Sequence, residues 1–254
     1  MAGQILQNFR EEALRVIAEA DKRGATLRLL GALAIQVHCP KYRGLYEEMQ
    51  RPLTDLDFIT RSKNSQYLTR LFRDLGYEPN EIFIQMHGHS RHIYQDPLNR
   101  RIADVFLDKL SFCHTIDLAN RLELDSPTVP LADLLLEKMQ IVHINEKDLK
   151  DSIVLLAEHE VGDTDSEMVN GRYIAQLLSG EWGFWYTVTT NLKRLKDYIQ
   201  ERSDLDTGVK KTVVARIDNL LRRLDDEPKT FGWKMRARIG PSMMWYNEVE
   251  EVVR

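Results

Sequence analysis

Cysteine, long apolar runs and an excess of positive charge are scarce or absent in this sequence of 254 residues. The two cysteines, Cys39 and Cys113, are far apart and lack the spacing of metal ligands, which predicts a reduced protein of the cytoplasm. No apolar run approaches the length of a membrane span, and the amphipathic N-terminus is unlike a signal peptide, so no membrane partner is expected. With a net charge of −4, the chain has no overall basic field to attract nucleic acid.

The order of strand and helix patterns predicts an α+β protein. Hydrophobic residues (43%) and charged residues (29%) occur in ordinary globular proportions, and the length allows one large or two modest domains. Strands and helices are mixed up to about residue 110, and helical patterns dominate after the Pro-containing segment 126–130. We therefore expect one domain in residues 1–125 and a helical domain in residues 126–254.

Two acids lie on a predicted strand in the segment 51–60. Because side chains alternate along a strand, Asp55 and Asp57 share one face while Leu56 and Phe58 point to the other, apolar face. Two adjacent carboxylates repel each other unless a cation lies between them, and magnesium prefers oxygen ligands. The alternative is a solvated strand end without an ion.

A strand, a glycine and a helix follow one another directly around Gly31. The backbone N–H groups at a helix N-terminus can hold phosphate oxygens, and glycine allows a close approach. A tight turn without a ligand is the alternative.

A third acid, Asp104, lies within the apolar strand pattern 101–108, where an unpaired charge would be costly. Either a cation or a salt bridge to Arg91, Arg100 or Arg101 is expected there.

The segment between these acids predicts a helix over 64–75 and a hairpin. The hairpin would pair strands 81–86 and 91–95 around a turn that carries His87 and His89. After residue 130, helices are predicted over 131–144, 146–158, 167–179, 181–201 and 207–225. The aromatic residues near residue 185 are expected to pack in the core, with base stacking as the alternative.

The order of these motifs resembles the nucleotidyltransferase superfamily with the polymerase-beta-like fold. Gly31-Ala32 is similar to that family's glycine–serine turn, Asp55 and Asp57 to its paired acids, and Asp104 to its third acid. The segment 51–57 and the helical segments 134–140 and 147–151 resemble the abortive-infection toxin branch, and the remainder resembles bacterial nucleotidyltransferases without an assigned role. The resemblance implies a mixed sheet flanked by helices, followed by a helical C-terminal domain that closes the nucleotide cleft.

This resemblance also implies a chemistry and a set of site residues. Asp55, Asp57 and Asp104 would be catalytic and would hold two magnesium ions, with manganese as a substitute. A nucleoside monophosphate would pass from a nucleoside triphosphate to a hydroxyl on a protein, a tRNA or a small molecule. The expected nucleotide-binding residues are Gly31, Ala32, Arg51, Thr54, Lys138 and Lys147, with the cations among them placed on phosphate. Four supporting residues are also expected: Asp148 and Asp151 would orient Lys138 or Arg51, with solvated charges as the alternative, and His89 and Arg91 would approach the acceptor.

One position departs from the family pattern. Many family members carry serine where this chain has Ala32, so a hydroxyl that can contact the triphosphate is missing. The backbone N–H groups remain. A nucleotide-binding regulatory module with weak or no turnover is therefore the alternative function, and an antitoxin is an expected partner if the toxin resemblance holds.

Overall fold

The computed structural model describes residues 2–249 of the chain. The last residues of the sequence, 250–254, lie outside this range. The helices are α1 (Ala2–Lys22), α2 (Gly31–His38), α3 (Leu45–Glu48), α4 (Ser65–Asp74), α5 (Glu81–His87), α6 (Leu131–Met139), α7 (Glu146–Glu158), α8 (Gly171–Gly180), α9 (Trp182–Glu201), α10 (Thr207–Asp226) and α11 (Phe231–Ile239). The strands are β1 (Leu27–Leu29), β2 (Asp55–Thr60), β3 (Glu78–Pro79), β4 (Arg91–Asp96), β5 (Arg101–Leu107), β6 (Lys109–Ser111), β7 (Thr115–Asp117), β8 (Val161–Gly162) and β9 (Val169–Asn170). The α+β class and the helical C-terminal region predicted from the sequence are confirmed.

The chain divides into two compact units. The first contains Met1–Pro40, Pro52–Leu110 and Ile116–Pro130, and the second contains Lys41–Arg51, Ser111–Thr115 and Leu131–Arg254. No helix among residues 2–249 combines the length and apolar character needed to cross a membrane.

A mixed five-stranded sheet forms the centre of the first unit within the described residues. Its strand order is β1-β2-β5-β4-β3. The strands β2 and β5 run parallel, and the other neighbouring pairs are antiparallel. Because β2 and β5 both have strands on either side, the sheet holds them rigidly at its middle, which is where the predicted acids lie.

The apolar face of the sheet packs against α4. Leu56 and Phe58 are fully buried, as their alternation with the two acids predicts. Phe72 of α4 stacks on Tyr94 with 4.1 Å between ring centroids and meets the ring of Phe58 edge-on at 6.4 Å. Packed aromatic pairs of this kind stabilise a core beyond their buried area.

The predicted hairpin is wrong in its first strand, because residues 81–87 form helix α5. The side chain of Asn80 accepts a hydrogen bond from the backbone N–H of Phe83 at 3.0 Å and so caps the helix. The alternation of Ile82 and Ile84 suggested a strand, yet no residue of α5 is buried. A local cap therefore decided the conformation where no core face was available.

The helices α6 to α10 of the second unit follow the predicted order, but α6 and α8 are shorter than expected, since α8 begins at Gly171 rather than at residue 167. Helix α6 ends at Met139 rather than near residue 144. The side chain of Asn191 donates hydrogen bonds to the carbonyl oxygens of Met139 and Ile141 at 2.9 and 2.8 Å. These buried bonds satisfy the carbonyls at the helix end, which would otherwise remain unpaired.

Removing the cap of α5 tests its assignment as a helix. We expect Asn80→Ala to lower the free energy of unfolding by about 1 kcal/mol, because the N–H of Phe83 loses its acceptor. Chemical denaturation measures this change. Asn80→Asp keeps the acceptor and serves as the control, so an equal effect of both substitutions would contradict the capping role.

Candidate active site

The turn between β1 and α2 lies directly against Asp57. Gly31 has a φ of +70°, a left-handed conformation that favours glycine. A Cβ atom added to Gly31 would lie 2.5 Å from Oδ2 of Asp57. The N–H of Leu30 also donates to the carbonyl oxygen of Asp57 at 2.8 Å. Glycine is thus required here both by the backbone and by the neighbouring carboxylate.

The three predicted acids lie on one face of the sheet. Asp57 on β2 and Asp104 on β5 are register partners in the parallel pair, and Asp55 lies two residues before Asp57. Register partners on adjacent parallel strands point to the same side, about 5 Å apart. Asp55 and Asp57 are half-buried, whereas Asp104 is completely buried. The first unit therefore brings Gly31 and the three carboxylates together.

Asp104 forms a buried ion pair with Arg91. The Nε atom of Arg91 donates to Oδ1 of Asp104 at 2.7 Å, and Nη2 donates to Oδ2. The guanidinium also lies over the ring of Phe106, 4.8 Å from its centroid. Of the two expectations for Asp104, the structure has the salt bridge, and Arg91 forms it. Arg101, another candidate, instead pairs with Asp96 at 2.7 Å.

The electrostatics of Arg91 link it to all three acids. Burial alone would lower the pKa of Arg91, but the ion pair with Asp104 and the charges of Asp57 and Asp55 raise it above its ordinary value. Arg91 is therefore firmly protonated. Of these four side chains, three carry a formal negative charge and one a positive charge.

Other predicted residues of the first unit surround this cluster or lie at its edge. Thr54 donates from its hydroxyl to Oδ2 of Asp55 at 3.2 Å. Ala32 is buried in the first turn of α2, which has no side-chain cap. His89 is exposed in the turn between α5 and β4, and the predicted contact of this histidine with an acceptor stays a prediction.

Two of the predicted cations, Arg51 and Lys138, lie around Asp151 in the second unit. This carboxylate is completely buried and accepts from Nε and Nη2 of Arg51, each at 3.0 Å. The ammonium group of Lys138 lies 3.4 Å from Asp151 and 3.7 Å from Asp148. Asp151 thus pairs with Arg51 and attracts Lys138, while the supporting role of Asp148 and Asp151 at a nucleotide site stays a prediction.

Glu137 belongs to this network although the sequence did not predict it, whereas Lys147, which the sequence did predict, lies outside it. Glu137 lies 3.1 Å from Lys138 and is largely buried, and its place inside an apolar helix was the signal that could have revealed it. Lys147 is exposed in the first turn of α7. The predicted roles of Lys138, Lys147 and Arg51 on a phosphate stay predictions.

Burial shifts the titration of Asp148. Desolvation raises the pKa of Asp148 to about 6; the charge of Lys138 opposes this shift, and Asp151 and Glu137 add to it. The folded protein therefore holds a proton on this carboxylate at a pH where the unfolded chain has released it.

Comparisons with known proteins give one similar structure. No family model and no curated protein matches the sequence. A solved structure of the antibiotic-resistance factor ANT(2'')-Ia matches 70% of this chain and 96% of its own, with 11% sequence identity and a TM-score of 0.42.

Replacing Gly31 tests the contact between the turn and Asp57. We expect Gly31→Ala to destabilise the fold by roughly 2–4 kcal/mol, because it adds a steric conflict with Asp57 to the strain of a positive φ. Gly24→Ala is the matched control: its φ is +72°, and an added Cβ meets nothing within 4 Å.

Thermal and chemical denaturation measure both variants and the double variant Gly31→Ala/Asp57→Ala. In that double variant the shortened side chain should relieve part of the cost. Equal destabilisation by Gly31→Ala and Gly24→Ala would contradict the close packing of Gly31 on Asp57.

The raised pKa of Asp148 predicts a pH-dependent loss of stability. Between its usual 3.8 and about 6, the folded state binds a proton that the unfolded state lacks, so stability falls as the pH rises through this range. In Asp148→Asn this loss is absent. We expect the variant to match the parent near pH 4 and to exceed it by roughly 1–3 kcal/mol at pH 8.

Urea denaturation across this pH range measures the effect. Asp218→Asn is a suitable control, because Asp218 is an exposed acid paired with Lys196 in the same unit. An Asp148→Asn protein that is less stable than its parent at pH 8 would show that the charged form of Asp148 is favoured by its neighbours.

Proposed function

We propose that this chain is a magnesium-dependent nucleotidyltransferase that moves a nucleoside monophosphate from a nucleoside triphosphate to a hydroxyl acceptor. The observation that carries the proposal is the contact of the Gly31 turn with Asp57, beside its register partner Asp104. A helix N-terminus suited to phosphate and a set of carboxylates suited to a divalent cation thus occur together. The acids alone, or the turn alone, would have simpler explanations.

The donor set suits magnesium best at Asp55 and Asp57. Magnesium in nucleotide sites commonly uses one or two carboxylates together with phosphate oxygens and water. Asp55 and Asp57 share a face and are half-buried, so both can be reached from solvent. Bound there, the metal would polarise the α-phosphate and lower the pKa of the acceptor hydroxyl.

Asp104 would not bind the metal while it is paired with Arg91. The guanidinium of Arg91 donates to both carboxylate oxygens of Asp104, so this carboxylate can accept a proton only after the guanidinium moves away. A triphosphate carries more negative charge than one carboxylate and competes for the same guanidinium. We infer that nucleotide binding draws Arg91 toward phosphate and leaves Asp104 to accept the proton of the acceptor hydroxyl.

The chain's other groups would position the substrate during the transfer. Backbone N–H groups at the start of α2 would hold the β- and γ-phosphates. The acceptor oxygen forms a bond to the α-phosphorus, the bond from that phosphorus to the bridging oxygen breaks, and pyrophosphate leaves with the electron pair. Because Gly31 has no side chain, its backbone lies close to the Asp57 carboxylate, where a Cβ atom would be only 2.5 Å from Oδ2. The turn would therefore leave room for the phosphates beside Asp57.

A binding module without turnover is the second candidate function. The bidentate pairing of Arg91 with Asp104 favours it, because a permanently paired Asp104 could not accept a proton. Ala32 favours it as well, because it offers no hydroxyl to the triphosphate. Such a module would bind nucleotide and leave it unchanged.

Label transfer from each of the four nucleoside triphosphates tests the proposal. We expect a label on the α-phosphate, and not one on the γ-phosphate, to appear in the protein, tRNA or small-molecule fraction of a cell extract when magnesium is present. Asp57→Asn should lower the transfer by about a hundredfold or more, because it removes a metal-binding charge.

The label-transfer experiment needs a control variant that lies outside the proposed site. Asp74→Asn removes an exposed carboxylate that pairs with Arg23 in the same unit, and it should leave transfer unchanged. Calorimetric binding of a triphosphate without any label transfer would reject the enzyme in favour of the binding module. Transfer that persists in Asp57→Asn would reject the proposed metal site.

A further inference from the structure

A cavity in the second unit contains most of the tryptophan of this protein. Its volume is about 580 Å³, which falls within the usual range of small-molecule sites. Three of the four tryptophans in the sequence line it, and these are Trp182, Trp233 and Trp245. The fourth, Trp185, meets the ring of Trp233 edge-on at 5.1 Å. Neither the acids nor the glycine turn of the proposed transferase belongs to this cavity.

The cavity wall is held in place by specific contacts. Gly183 allows the backbone oxygen of Trp245 to approach so closely that an added Cβ would lie 2.5 Å from it. The indole N–H of Trp245 donates to Oγ1 of Thr187 at 3.1 Å, and the N–H of Asn247 donates to the carbonyl oxygen of Cys113 at 2.9 Å. These contacts organise the cavity before any ligand arrives, which reduces the cost of binding.

A buried histidine offers a hydrogen-bond acceptor in this wall. His114 lines the cavity with 6% of its surface exposed and stacks on Phe184. The hydroxyl of Thr187 donates to the carbonyl oxygen of Gly183 and accepts from Trp245, so its contact with Nε2 of His114, at 2.8 Å, is assigned as a bond donated by the histidine. Nδ1 is then the unprotonated nitrogen, and it has no hydrogen-bond partner in residues 2–249.

Two properties of the site narrow the chemistry of its ligand. Desolvation lowers the pKa of His114 to about 4, so the ring is neutral near pH 7 and Nδ1 can only accept a hydrogen bond. The rings of Trp182, Trp233 and Trp245 line the same cavity. An unpaired acceptor in an aromatic wall suits a flat ring with its own N–H group.

We propose that this cavity binds a planar heteroaromatic small molecule, whose ring N–H donates to Nδ1 of His114. The flat faces of the ligand lie against the aromatic side chains of the wall. A purine with a free ring N–H has this chemistry. The site is independent of the proposed nucleotide transfer.

A matched pair of ligands tests the hydrogen bond to His114. Theophylline has a ring N–H where caffeine has an N-methyl group, and the two molecules are otherwise the same. Calorimetry with the full chain should show theophylline binding about tenfold or more tightly than caffeine, because caffeine cannot donate this bond. Binding should also change the tryptophan fluorescence, since all four tryptophans lie in or beside the cavity.

Histidine variants test whether the preference for theophylline depends on His114. His114→Phe keeps a ring to stack on Phe184 but removes the acceptor, so the preference for theophylline should disappear. His143→Phe is the control, because His143 is exposed and does not line the cavity. Its ring centroid lies 6.3 Å from that of Tyr246. This variant should keep the preference unchanged.

Nuclear magnetic resonance of the unmodified protein keeps the test decisive if His114→Phe fails to fold. Nitrogen shifts of His114 should identify a neutral ring protonated at Nε2, and the Nδ1 signal should move when theophylline is added. A ring protonated at Nδ1 would overturn the proposal. The absence of binding at millimolar theophylline, equal binding of both ligands, or an equal effect of His143→Phe would also overturn it.

Discussion

The ion pair between Asp104 and Arg91 is the interaction on which the centre of the first unit depends. Asp104 lies on the middle of the sheet with no exposed surface, and a carboxylate cannot remain charged there without a close partner. Losing either member of such a pair costs about 3–5 kcal/mol, because the other is left buried and uncompensated. The same guanidinium is attracted by Asp57 and Asp55, so one cation serves three acids. This shared cation offsets part of the negative charge of the three acids, and in the proposed function it would also attract a triphosphate.

Both units use buried charge to fix the position of a cation. In the first, β-strand register sets Asp104 beside Asp57, and Gly31 leaves room for the carboxylate. In the second, Asp151 accepts from Arg51 and attracts Lys138, while burial raises the pKa of the neighbouring Asp148. Burial of charged groups has a cost even where they are paired, and the raised pKa of Asp148, which lies 3.7 Å from Lys138, reflects this cost.

Much of the fold could be predicted from local pattern, whereas the contacts of the site depended on register. Helix α7 has the predicted bounds, Glu146–Glu158, because its apolar spacing lies within this segment and Asn145 caps its N-terminus. The alternation of Ile82 and Ile84 predicts a strand at α5, but the Asn80 cap favours a helix there and no buried face opposes it. The shared face of Asp55 and Asp57 follows from alternation alone. The choice of Arg91 among three arginines needed the pairing of β4 with β5, which no local pattern contains.

A crystal structure with manganese and a non-hydrolysable nucleoside triphosphate analogue tests the central claim most directly. Anomalous scattering locates the metal, and the map locates the guanidinium of Arg91. We expect manganese about 2 Å from oxygens of Asp55 and Asp57, phosphate at the start of α2, and Arg91 turned from Asp104 toward the phosphate. Manganese and nucleotide both absent from this cluster, with Arg91 still paired to Asp104, would contradict it.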